Sequence, residues 1–135
     1  MLHAALLFAV TIGCHSDFVQ SSWALLQTAG YGQSVYESAA FAVRDADDRV
    51  RFVQWPSDHR QLAAFYKGRI PAHTFAIVHT HPNGHPLPSA DDEATAQRLG
   101  MPVYVLTINS ITRSNGKRIE QIVKGEWNPE RCAQR

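Results

Sequence analysis

Apolar positions along the chain follow two periods, and the switches between them mark out the elements. From Ser16 to Ala29, the spacing of Phe18, Val19, Trp23, Leu25 and Leu26 gives one broad apolar face. This predicts a helix capped by Ser16 or Asp17 and ended by Gly30 and Gly32. Val35 to Arg44, rich in small, β-branched and aromatic residues, reads as the first core strand. Asp45–Asp48 is its turn, and Val50–Trp55 the return strand, broken by Pro56. Asp58–Tyr66 reads as a short helix with Leu62, Ala63 and Phe65 inside. After Pro71, Thr74–Val78 is a strand, and Ser89–Leu99 is a run of helix formers. Gly100 and Pro102 punctuate before the buried strand Val103–Ile108. Ile111–Arg113 and Arg118–Val123 form a hairpin around Asn115-Gly116, and the tail from Pro129 is expected to fray. The fold class is α/β, a mixed sheet flanked by helices, with the Ser16–Ala29 helix on one face.

Composition narrows the picture. A chain of 135 residues with 44% hydrophobic content suits one domain with one core, expected over residues 16–128. The 13 basic and 12 acidic side chains leave a formal net charge of +1, which gives no electrostatic reason to expect nucleic acid. Residues 1–14 are apolar except for His3 and Thr11, and the run is too short to span a membrane as a helix. Two readings of it stand. In one it is a signal, with T-I-G-C similar to a bacterial lipoprotein cleavage box and Cys14 as the lipid-anchored residue. In the other it packs on the domain and Cys14 is a buried thiol. The lack of Lys or Arg before the apolar run and Thr11 in place of the usual Leu weigh against a signal. Location follows from that choice: cytoplasmic, or exported and envelope-anchored. Cys14 and Cys132 do not make a disulfide framework.

The chemistry concentrates between Phe75 and Leu99. The strand Phe75–Val78 runs into His79 and His81, one residue apart. Extended backbone sends side chains i and i+2 to the same side, so two imidazoles can face one point. A loop with Pro82, Pro86 and Pro88 leads to Ser89, and Asp92 follows three residues on. Ser89-x-x-Asp92 also has the form of a capping box. The two roles are compatible, because a self-capped helix start is a rigid mount for a ligand. Two neutral nitrogens and one carboxylate form a set that suits zinc with an open fourth position. His85, in the intervening loop, is read as a solvated side chain and His73 as structural or surface. Trp23, Trp55 and Trp127 are read as core or partly buried aromatics.

The run H-T-H, seven residues, then S-A-D-D resembles the H-x-H-P-x(n)-S-x-x-D motif of the JAMM/MPN+ metalloproteases. The layout from about Phe18 to Trp127 is similar to that family's minimal prokaryotic domain. The resemblance implies a three-layer, cytidine-deaminase-like architecture with zinc held by His79, His81 and Asp92. It further implies that Ser89 assists the tetrahedral intermediate and that a glutamate on an early strand is the general base. Glu37 is the only glutamate before the motif. Asp91 competes with Asp92, but the S-x-x-D spacing selects Asp92. The implied activity is hydrolysis of a peptide or isopeptide bond in a peptide or protein substrate, with a ubiquitin-like tag among the candidates.

The chain has no room for the insertions that hold ubiquitin in the eukaryotic members, and Ser38 and Ala39 follow Glu37 where a glycine-rich sequence is frequent. Three rival readings use the same motif: a non-catalytic MPN scaffold, which would lack a ligand; a RadC-like protein linked to DNA repair, which would favour a basic groove; and a zinc amidase acting on a small molecule.

Overall fold

A computed structural model describes residues 13, 15–33, 37–55 and 69–132. The expected N-terminal segment with Cys14 and the expected helix Asp58–Tyr66 lie outside the described residues, except Gly13 in the former. Six strands form one sheet: β1 (Ala39–Arg44), β2 (Val50–Gln54), β3 (Thr74–Thr80), β4 (Val103–Thr107), β5 (Ser110–Ser114) and β6 (Ile119–Lys124). Their order is β2-β1-β3-β4-β5-β6. β3 and β4 are parallel, and every other neighbouring pair is antiparallel.

Helices cover both faces. α1 (Asp17–Thr28) starts at Ser16, whose hydroxyl accepts from the Val19 N–H at 3.2 Å. Its apolar side packs Phe18, Leu25 and Leu26 against Ala40, Ala42, Val78, Tyr104 and Leu106. α2 (Ala90–Leu99) makes the crossover from β3 to β4, as a parallel pair requires. It buries Ala96 with Phe41, Val43, Ile77 and Val103 on the opposite face. β1, β3 and β4 are thus covered on both sides, which explains their continuous apolar runs. α2 ends at Gly100, where φ is 65°, a left-handed position that glycine reaches without strain.

The structure moves several boundaries, among them the end of the strand expected at Val78, which runs to Thr80. β1 begins at Ala39, so Glu37 stands two residues before the strand, and its side chain is 18% exposed. The reason is local: the Ser38 N–H bonds the Thr80 hydroxyl at 2.9 Å, so the regular ladder stops there. Ile108 leaves β4 for the turn to β5. The tail does not begin at Pro129 as a frayed end, because Pro129–Cys132 forms a helical turn, α3. Trp127 anchors it: the ring is buried against Trp23, and its Nε1–H donates to the Thr107 carbonyl at 2.8 Å. Trp23 and Trp127 belong to the core, as expected.

Candidate metal centre

The register of β3 builds the site. Val78 faces the α1 side and Ile77 the α2 side. The period of two then carries His79 and His81 to the α2 face, and β3 continues through His79 to Thr80. The partner of His79 on β1 is Ala39 and on β4 is Val105, small neighbours that leave room for an imidazole. The two rings lie 4.8 Å apart, and both are buried.

The first turn of α2 brings a carboxylate to them. Ser89 caps the helix: its hydroxyl accepts from the Asp92 N–H at 3.1 Å, and the Ser89 N–H donates to Asp92 Oδ2 at 2.7 Å. This reciprocal capping box holds the Asp92 side chain against the helix start. Asp92 Oδ1 is 3.0 Å from His79 Nε2, and Oδ2 is 3.4 Å from His81 Nε2. Asp91 is exposed, whereas Asp92 is buried. Glu37 approaches from the β1 side, with Oε2 3.5 Å from His79 Nδ1 and Oε1 3.8 Å from His81 Nε2. His79, His81, Asp92 and Glu37 therefore converge, with Ser89 at the helix start beside them.

One contact was not legible from residue type. The His85 side chain is exposed, as expected, but its backbone carbonyl lies 3.0 Å from His81 Nδ1. That carbonyl accepts a hydrogen bond from the His81 Nδ1–H and so orients the ring, with Nε2 on the side of Asp92. His79 has no such partner. Both its ring nitrogens are buried without a directed hydrogen bond, although carboxylates lie at ion-pair distance from each. Such orphaned atoms are costly unless something else satisfies them.

The electrostatics follow from this crowding. Burial disfavours the His79 imidazolium, but Asp92 and Glu37 outweigh it and raise its pKa to about 9. Burial would likewise raise the Asp92 carboxyl. His79 and His81, with the Ser89 N–H, hold it well below the usual carboxylate range.

Two imidazoles with a carboxylate, and one ring lacking hydrogen-bond partners, fit a divalent metal with nitrogen and oxygen ligands. Glu37, His79 and His81 offer donor atoms that all lie within 4.8 Å of one another, so this cluster could hold a metal ion. An open cleft on the α1 side, lined by Trp23, Tyr31, Ile108 and Asn109, contains none of these residues. Among the described residues, no helix is long and apolar enough to cross a membrane.

The family model described as prokaryotic homologs of the JAB domain matches residues 19–121, a span that holds every residue of the cluster. No curated protein and no solved structure gives a match.

Proposed function

The chain belongs to the prokaryotic homologs of the JAB domain, and on that premise we propose that it is a zinc-dependent hydrolase of peptide or isopeptide bonds. The observation that carries the reading is the paired approach of the two Asp92 oxygens to the two imidazole Nε2 atoms, at 3.0 and 3.4 Å. His79 Nε2, His81 Nε2 and the Asp92 carboxylate are the proposed ligand set. Zinc held there supplies Lewis acidity and lowers the pKa of a coordinated water towards 7.

The chain's own residues supply the rest. Glu37, which faces the other nitrogen of His79 from Asp92 but the same nitrogen of His81, accepts the proton of the attacking water and delivers it to the leaving amine. Ser89 uses its oxygen lone pair on the Asp92 N–H, so its O–H proton is free to donate to the carbonyl oxygen as that oxygen gains charge. The His85 carbonyl fixes the tautomer of His81. All three proposed ligands are present and face one another, which argues against a scaffold that has lost its metal.

A second reading takes Glu37 as the third ligand and leaves Asp92 as a capping residue, and the close approach of the Glu37, His79 and His81 donors favours it. The two readings part on metal analysis. On the first, Asp92→Ala loses zinc and Glu37→Ala keeps it; on the second, the order reverses. The activity itself is tested by zinc loading followed by a panel of fluorogenic peptide and isopeptide substrates. Zinc at one per chain with metal-dependent cleavage is expected. A chain that takes up no zinc, or that cleaves equally well after chelation, would overturn the proposal.

A further inference from the structure

We propose that Thr80, the residue between the two histidines, is the positioning residue for Glu37; this rests on the reading of Glu37 as general base. The geometry is a substitution in the β1–β3 ladder. Ala39 pairs with His79, so Ser38 stands opposite Thr80. The Thr80 N–H donates to the Ser38 carbonyl at 2.9 Å, as a regular antiparallel pair would. The return bond is not regular. The Ser38 N–H donates to the Thr80 side-chain hydroxyl at 2.9 Å, where a regular pair would use the Thr80 carbonyl.

Thr80 thus grips both backbone groups of the residue that follows Glu37. Its side chain points away from the metal face while His79 and His81 point towards it, as strand alternation requires. It is almost fully buried, at 1% exposure, so its own rotamer is locked by packing. Ser38 is held from the helix side as well. Its hydroxyl oxygen lies 2.8 Å from that of Thr28, the last residue of α1, which itself donates to the Leu25 carbonyl at 2.6 Å. The chain is fixed at Ser38 from two elements, one residue beyond the last regular ladder pair, Ala39 with His79. The Glu37 carboxylate then sits 3.5 Å from His79 and 3.8 Å from His81. A base must stand within about one hydrogen bond of the proton it removes, and a misplacement of about 1 Å can cost on the order of 100-fold. The strand that carries the ligands therefore also sets the base, through the one side chain between them that the metal does not use.

The test is a double-mutant cycle with zinc-loaded protein. Thr80→Val keeps the β-branched shape and removes the acceptor, whereas Thr80→Ser keeps the hydroxyl. In Thr80→Val, amide hydrogen exchange at Ser38 should accelerate by at least about tenfold. Turnover should fall by roughly 10- to 100-fold with KM little changed, and zinc content should match the parent. Thr80→Ser should restore both exchange protection and turnover. In a Glu37→Gln background, Thr80→Val should cost nothing further, because it acts only through Glu37. Should the valine variant fold poorly, Thr80→Ala against Thr80→Ser makes the same comparison. Parent turnover in Thr80→Val, or an equal further loss in the Glu37→Gln background, would overturn the proposal. Parent turnover in Glu37→Gln alone has a different signature: it would remove the base assignment, and the positioning role with it.

Discussion

Ser89 is proposed to do two jobs, and they can be separated by substitution. Its hydroxyl oxygen accepts the Asp92 N–H, which caps α2; its proton is assigned to the developing oxyanion. Ser89→Ala removes both. Losing an N-cap serine to alanine costs about 1 kcal/mol, whereas glycine at the same place costs only a few tenths. With an unfolding entropy of about 2.1 cal/mol/K per residue over 135 residues, 1 kcal/mol corresponds to a fall in Tm of roughly 3–4 °C. The Asp92 carboxylate keeps its bond from the Ser89 N–H in either variant, so zinc should remain. Removing one oxyanion donor costs about 100- to 1,000-fold in kcat. Ser89→Ala and Ser89→Gly should therefore lose turnover alike while differing in Tm by about 2–3 °C. Thermal melting and turnover on one cleaved peptide, with zinc held saturating, give both readings. If turnover tracked Tm, so that the glycine variant was nearly as active as the parent, the hydroxyl would be a cap and nothing more.

Other consequences follow from the same geometry. Asp91→Ala, at an exposed position, should leave zinc content unchanged while Asp92→Ala strips it; metal analysis giving the reverse would show that the S-x-x-D spacing selects the wrong carboxylate. In the metal-free protein the raised His79 pKa adds stability that is fully present below about pH 6.5 and is lost as pH rises through about 9, which denaturant titrations across that range should show. Zinc requires the neutral ring, so binding at pH 7 should release about one proton from His79 in addition to any released by the coordinated water, and the His79 share should disappear as pH rises well past 9. Calorimetry in buffers of different ionisation enthalpy measures it, and no release at pH 7 would contradict the assignment. Gly116→Ala should destabilise by roughly 1–3 kcal/mol by chemical denaturation: φ is +90°, and a Cβ would press on Gln97, whose amide donates to the Gly116 carbonyl. An unchanged midpoint would refute that reasoning.

Much of the site is legible from local rules. The alternation along β3 aims His79 and His81 together, and Ser89 and Asp92 announce a helix start because a capping box needs that spacing. What escaped sequence reasoning depends on side chains standing in for backbone, or the reverse. The start of β1 at Ala39 hangs on the Thr80 hydroxyl replacing a ladder carbonyl, and no propensity encodes that. Thr80 carries no signal of its role in the sequence and His85 reads as a solvated ring, yet one holds Ser38 and the other contributes its carbonyl. The helical turn at Pro129–Cys132 follows a long-range anchor, the Trp127 indole on Thr107, twenty residues away in sequence. The α/β class follows from periodicity; the strand order and the division of the core between α1 and α2 are set by pairings between distant segments.

The central claim is that the two histidines and Asp92 hold zinc while Glu37 moves the proton. Its most direct measurement pairs zinc stoichiometry with turnover on the same preparations of parent, Glu37→Gln and His79→Ala. Glu37→Gln keeps size and packing but cannot accept a proton. It should retain one zinc per chain and the parent fold, and lose roughly two to four orders of magnitude in hydrolysis. His79→Ala should lose the zinc and the activity together. A Glu37→Gln protein that holds zinc and cleaves at the parent rate would contradict the account.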